Sequence, residues 1–553
     1  MKRKILIAVA SILLLAGAAA RAQERAPTPA PARPDDQSQP KDDDQDLFPS
    51  VVLEIEDLSV EKIEAGLPAD EPLMSFERQT PLPGPGEIRI EEPAVESLLP
   101  GENGAAKSGD KSFFTEVLFG AGLQNNLLGA VTLYRLGLSP VINLNVGYEN
   151  ADGFAYRQVG LGYGERRDEF GGGIKLAGDA LSFEAEGGFK ETERGLQQQA
   201  AYFSALNQFS HLSLAFSAKA PELFTFSASA RADLTGFSVT GSAAPPYPVS
   251  YPPTEYLVGG GLRGDLAWPA VSAGLGLEYR FRNIPGADNA FLANRFRADL
   301  SAGWDISPYL RAEGKVGVFT STAIPYLIPW QARVRWSIFD WLGLSAGGGY
   351  RIEEQNLAGT LAAFPYADFP AALPDNHGWF TNAGVQVSFA NLLLLTVDGT
   401  YAENASDARL GATPDAATGL FPVLYGTEVP TFSLDCRLKL PLTNWLTLSG
   451  SNRLVLPLAP GNVPVVAIGA EAAAEEVGGA FGATLALKFQ TDVLGQWEFP
   501  YLDATAYVRI IDNMKLAVEA LDLLQPLLGG PRYSPYPYLA PGIRARFKIS
   551  ISL

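Results

Sequence analysis

The chain has 553 residues, of which 47% are hydrophobic and 19% charged, with a net charge of −19, one cysteine and two histidines. That balance excludes a wholly disordered chain, because aromatic and aliphatic content is too high. It also excludes a disulfide scaffold or a cysteine metal centre, because Cys436 has no partner, and it argues against a general nucleic-acid binder. No interior stretch reaches the ~18 apolar residues of a spanning helix. Near-neutral hydropathy without such helices points to an all-β chain that crosses a membrane with strands, a transmembrane antiparallel β-barrel.

Taken in order, the first 22 residues read as a signal peptide. Lys2, Arg3 and Lys4 precede the apolar run Ile5 to Ala20, and Ala20-Arg21-Ala22 offers a cleavage site before Gln23. Residues 23–112 form a second region, opening with Ala26-Pro27-Thr28-Pro29-Ala30-Pro31 and passing through Asp42, Asp43, Asp44 and Asp46. It holds 8 basic and 21 acidic residues, a net charge of −13, against −10 for residues 113–553. A short, acidic, Pro-rich segment cannot bury a core, so a disordered periplasmic tail is expected. Within it, Val51-Val52-Leu53-Glu54-Ile55-Glu56 alternates like a strand that could pair with a partner protein.

From Phe113 to Leu553 the dominant signal is period-two alternation, as in Leu310-Arg311-Ala312-Glu313-Gly314-Lys315-Val316 and Ala332-Arg333-Val334-Arg335-Trp336. In a membrane barrel the apolar face of such a strand meets lipid and the polar face meets the lumen. Tight hairpin corners are expected near Ser139-Pro140, Gly178-Asp179, Ala220-Pro221, Trp268-Pro269, Ser307-Pro308, Phe339-Asp340, Ala390-Asn391, Thr443-Asn444, Gly478-Gly479 and Asp512-Asn513. The alternate connections, such as Ala358 to Gly378 and Asn404 to Glu428, are longer and read as polar loops. With both termini on the periplasmic side, ten tight turns imply about 22 strands. The ambiguous stretch is 151–208, where Glu165 to Asp168 or Glu193 to Gly195 would change the count as turns.

Few residues offer chemistry. His211-Leu212-Ser213 has the spacing of a nucleophile and base on one strand face, yet a triad needs an orienting group that the neighbourhood does not supply. His377 lies in Pro374-Asp375-Asn376-His377-Gly378, which reads as a polar loop before a strand. Gly259-Gly260-Gly261-Leu262-Arg263-Gly264 matches a dinucleotide fingerprint, but no helix follows it. No catalytic residue, cofactor or metal ligand is therefore expected, and an enzyme is the weakest reading. The stretch from Arg263 to Arg351 is different, with nine arginines and Lys315 against seven acidic residues. Arg280, Arg282, Arg295, Arg297, Arg311, Lys315, Arg333 and Arg335 alternate with apolar neighbours, so they should line the lumen as one basic wall that attracts anions. Glu278, Asp299 and Glu313 are placed to neutralise part of it.

The strand count, with Glu149-Asn150-Ala151-Asp152-Gly153-Phe154 and the closing stretch Ala517 to Leu524 followed by Tyr538-Leu539-Ala540-Pro541-Gly542, resembles the barrel of TonB-dependent outer-membrane receptors. That resemblance implies an outer-membrane location in a diderm bacterium, with lipid around the barrel and insertion by the outer-membrane barrel assembly machinery. It also implies a TonB-like periplasmic partner, for which Val51 to Glu56 is the available segment. The family's folded plug has no evident counterpart, since residues 23–112 are short, acidic and Pro-rich, and the chain ends in Leu553 where such barrels often end in an aromatic. The expected function is a channel or transporter for small solutes, anions among them. The alternative is an assembly scaffold that docks periplasmic proteins through its tail.

Overall fold

The period-two stretches become antiparallel strands in a computed structural model of the chain, which describes residues 113–552 apart from short segments, the longest being 153–161, 241–253 and 458–464. The first eight strands are β1 (Phe114–Gly122), β2 (Leu127–Arg135), β3 (Val141–Asp152), β4 (Gly164–Ala177), β5 (Leu181–Gly195), β6 (Ser204–Ala220), β7 (Phe224–Thr240) and β8 (Thr254–Ala267). Next come β9 (Val271–Asn283), β10 (Ala293–Ser307), β11 (Leu310–Ser321), β12 (Trp330–Phe339), β13 (Leu342–Glu353), a short helix α1 (Leu357–Ala363), β14 (Asn376–Phe389) and β15 (Leu393–Asn404). A small separate hairpin, β16 (Asp407–Leu410) and β17 (Val423–Gly426), interrupts the meander. The rest is β18 (Val429–Pro441), β19 (Leu446–Pro457), β20 (Val465–Glu475), β21 (Phe481–Gln490), β22 (Tyr501–Ile511), β23 (Met514–Leu521) and β24 (Arg544–Ser552).

Each barrel strand pairs with the next along the chain, β15 pairs with β18, and β1 pairs with β24 to close the ring. The result is one sheet of 22 strands without an edge, which removes the unpaired backbone that lipid does not tolerate. All ten expected corners fall between consecutive strands. The two ambiguous segments are not turns: Glu165 pairs with Arg194 and Arg166 with Glu193 inside the β4–β5 ladder.

The outer face explains why this sheet needs a membrane. Leu275, Leu277, Leu300, Val316, Val318 and Val334 all point away from the lumen and are exposed. An apolar surface of that extent would drive association in water but suits acyl chains. Aromatic side chains mark both edges of the belt. Trp268, Trp304, Tyr309, Trp336, Trp341 and Trp445 ring the tight-turn end, and Tyr256, Tyr279, Phe296, Trp330 and Trp379 ring the long-loop end. Such amphipathic rings settle at headgroup level. The barrel is an outer-membrane barrel with both strand termini at the tight-turn side, the arrangement that places long loops outside the cell.

Candidate functional site

Alternation puts all eight residues of the expected basic wall on the face opposite that apolar belt, on β9 to β12. They do not form one free positive surface. A recurrent local device neutralises most of the arginines: a carboxylate two residues along the same strand, which period two brings to the same face. Arg297 pairs with Asp299 at 2.9 Å, Arg311 with Glu313 at 2.7 Å and Arg280 with Glu278 at 2.5 Å. Arg231–Asp233 and Arg263–Asp265 repeat it elsewhere on the wall, each at 2.8 Å. Lys315 reaches Asp299 at 3.0 Å across strands. Four arginines have no carboxylate two residues away: Arg282, Arg295, Arg333 and Arg335. They divide into two sites.

The first site is a clamp. Arg295, 2% exposed, grips Asp375 through Nε at 3.1 Å and through Nη2, and lies 3.6 Å from Glu354. Arg282, equally buried, donates to the carbonyls of Gln355 and Leu373 at 2.8 Å each. Arg280 adds a 3.3 Å contact to Glu354, and the buried Glu255 on β8 accepts the Leu357 N–H at 2.9 Å. All these partners lie on the connection 354–375 that carries α1, whose start Asn356 caps by accepting the Gly359 N–H at 2.7 Å. Burial pushes the Glu354 carboxyl above its ordinary range, against the pull of Arg280 and Arg295. Unpairing one member of such a buried set costs roughly 3–5 kcal/mol.

What the clamp holds is a folded cap. The connections that read as polar loops in fact supply an apolar core: Leu196 and Tyr202 after β5, Leu357, Leu361, Phe364, Tyr366 and Leu373 after β13, Leu420 and Phe421 after β15, and Tyr538 after β23. Tyr538 is fully buried at its centre, stacked on Tyr366 at 3.9 Å between ring centroids, and its hydroxyl donates to the Gly419 carbonyl. Gly419 has φ +74, and a Cβ there would lie 3.2 Å from both the Ala200 Cβ and the Tyr538 hydroxyl. Gly419 and Ala200 belong to loops from β15 and β5, on nearly opposite sides of the ring. Segments from opposite walls therefore meet over the external mouth. Gln197 completes the weave, its side-chain amide exchanging hydrogen bonds with Leu539 at 2.7 and 2.9 Å. Beside it, Arg532 bonds Asp522 at 2.7 Å and lies 3.8 Å over the Tyr501 ring. Burial pushes the Asp522 carboxyl up to about 6.

The second site lies lower on β12. Arg333 has no ion pair within 4.0 Å among the described residues, and its Nε has no hydrogen-bond partner there. Arg335 sits 3.4 Å from Glu313, a carboxylate already bonded to Arg311. Across β13 and β14 the facing residues are small or neutral: Ser345, Gly347, Asn382 and Gly384. A Cβ at Gly384 would meet the Ser345 hydroxyl at 2.6 Å and an Asp398 oxygen at 2.4 Å, so glycine keeps this recess open. Arg437 and Lys439 on β18 are exposed and unpaired among the described residues.

The histidines stand apart from both. His211 faces the lumen from β6, stacked on Phe209 and 4.0 Å from Glu186. His377 is not in a loop; it lies in β14, its Nδ1 2.6 Å from the Tyr350 hydroxyl at the outer aromatic rim. Val51, Val52, Leu53, Glu54, Ile55 and Glu56 lie outside the described residues, as does any segment that would fill the lumen from the N-terminal side. Glu255, Glu354 and Asp375 escaped sequence reasoning. The available signal was the lack of a nearby carboxylate at Arg282 and Arg295.

No protein-family model matches the chain, and no curated protein matches it. Solved structures do. The ferric enterobactin receptor PfeA of Pseudomonas aeruginosa is similar with a TM-score of 0.60 at 11% identity, over 81% of each chain. The copper transporter OprC is similar with a TM-score of 0.58 at 10% identity, over 80% of each chain. The FrpB iron transporter of Neisseria meningitidis gives 0.60 at 9% identity, over 80% of this chain and 82% of that one. With closure at 22 strands, these likenesses show that the chain has the barrel fold of the TonB-dependent outer-membrane receptors.

Proposed function

We propose that the protein is an outer-membrane transport barrel for small anionic solutes, closed on the outside by its folded cap. The observation that carries this reading is the lumenal recess at Arg333 and Arg335, where guanidinium charge faces glycine, serine and asparagine, and where neither nearby carboxylate, Glu313 or Asp398, pairs directly with Arg333 among the described residues. Fixed positive charge on a lumen wall raises the local concentration of anions. The similar structures, a ferric enterobactin receptor, a copper transporter and an iron transporter, support a transport role for this fold. In the same reading residues 1–22 direct secretion, and the acidic segment 23–112 contacts a periplasmic TonB-like protein through Val51 to Glu56.

Planar bilayers test it. The purified full-length chain, with its cap loosened by Tyr538→Ala, should conduct, and under a potassium chloride gradient its reversal potential should favour chloride. Arg333→Gln with Arg335→Gln should move that potential toward potassium. A barrel that never conducts would instead favour the scaffold alternative.

A further inference from the structure

The clamp contains more positive charge than its own wall neutralises. Arg280 stands directly opposite Arg295 in the β9–β10 register, Arg297 opposes Glu278, and Arg282 follows Arg280 on the same face. Like charges placed opposite one another on a sheet repel. The wall answers with Glu278, Asp299 and the buried Glu255, and the connection 354–375 adds Glu354 and Asp375, with the carbonyls of Gln355 and Leu373 as further acceptors. A loop that only had to be fixed in place would be held more cheaply by apolar contacts, and the cap core already supplies those. A guanidinium forked onto a carboxylate is also the geometry by which arginine takes any carboxylate or phosphate.

We propose that Arg280, Arg282, Arg295 and Arg297 form a binding site for a multiply charged anionic solute, and that Glu354 and Asp375 occupy it in place of the solute while the cap is closed. Arrival of the solute displaces the loop, so recognition and opening are one exchange of anions on the same guanidinium groups. This rests on the transport reading and adds where the solute is recognised. The chemistry required is at least two carboxylate or phosphate groups, to replace the two carboxylates that leave.

Citrate and inorganic pyrophosphate are suitable probes, applied to the full-length protein in detergent, with heat-modifiable electrophoretic mobility as the check on folding. Citrate should lower hydrogen-exchange protection of residues 354–375 and leave β9 and β10 protected. Glu354→Gln with Asp375→Asn should tighten citrate binding about tenfold, since the internal competitor is weakened. Arg295→Gln should also expose the loop, yet bind citrate worse than wild type. If that variant fails to fold, Arg282→Lys, which keeps the charge and loses the fork, should weaken citrate in its place. Citrate that leaves loop exchange unchanged, or the double variant binding no tighter than wild type, overturns the proposal. Chloride-selective conductance with a citrate-insensitive loop would remove this site and keep the transport reading. Potassium-selective conductance with citrate displacing the loop would do the reverse.

Discussion

Replacing Tyr538 with alanine should open the cap without unfolding the barrel. The ring is fully buried, stacked on Tyr366, and its hydroxyl ties the β23–β24 connection to Gly419. Truncating a buried aromatic to alanine costs roughly 3–5 kcal/mol. If the cap opens as its own cooperative unit, that loss lowers its hydrogen-exchange protection by about two to four decades. Tyr538→Phe keeps the ring and leaves the buried Gly419 carbonyl without its donor, a cost of roughly 1–3 kcal/mol and about one to two decades. The assay is hydrogen exchange read by mass spectrometry on peptides covering 196–200, 354–375 and 410–426, with β10 and β11 as the internal reference. The expected order is alanine far above phenylalanine, phenylalanine above wild type, and an unchanged reference. Two results would exclude a separately opening cap held by Tyr538. One is equal protection in all three proteins, which would mean that Tyr538 bears no load. The other is parallel loss from β10 and β11, which would mean that cap and barrel open together.

Docking of the β23–β24 connection should depend on pH through Asp522. Its carboxyl is raised to about 6 by burial, above its ordinary value, so the docked loop binds a proton more tightly than the released one. Docking is therefore firmest below the ordinary carboxylate range, weakens as pH rises to about 6 and levels off above it, and Asp522→Asn should flatten that profile in proteolysis of the loop between about pH 4 and 7. On the lipid face, Leu300→Arg places charge between the Phe296 and Trp304 levels and should cost roughly 2–4 kcal/mol in urea unfolding from liposomes. Ser301→Arg, one residue on and facing the lumen, should cost far less. Arg282→Ala removes the donor to the buried Leu373 carbonyl and one of the two donors to the Gln355 carbonyl, and should expose 354–375 to protease while heat-modifiable mobility stays normal.

The barrel was legible because a strand writes itself into sequence every second residue and a tight turn punctuates it. Trp268-Pro269 and Thr443-Asn444 announce corners from local chemistry alone, and ten such corners fix the number of strands. Direction followed from the same rule, which put Arg311, Lys315 and Arg333 on one side of their strands. The cap was not legible. Leu357 and Leu361 share one face of α1, too short a helix to stand out, while Leu373, Leu420 and Phe421 come from irregular segments, and the burial of all five depends on loops that approach from other parts of the ring. The ion pairs of the clamp were hidden for a related reason. Arg295 finds Asp375 80 residues away, whereas Arg297 finds Asp299 within its own strand. Period two reports the near partner and is silent about the far one.

The meeting of Ala200 with Gly419 has a consequence for the order in which the molecule is made. The Gln197–Leu539 contacts span 342 residues and Tyr538–Gly419 spans 119, and both bring together loops whose strands lie far apart around the ring. Contacts of such long sequence separation are rewarded only after the intervening chain has been placed. Until β24 zips onto β1, the Tyr538 loop has no fixed position from which to reach the loops of β5 and β15. The cap is thus the last part of the described molecule to assemble, and its completion certifies a closed wall: a barrel stalled with its seam unzipped stays unroofed, open to proteases from outside.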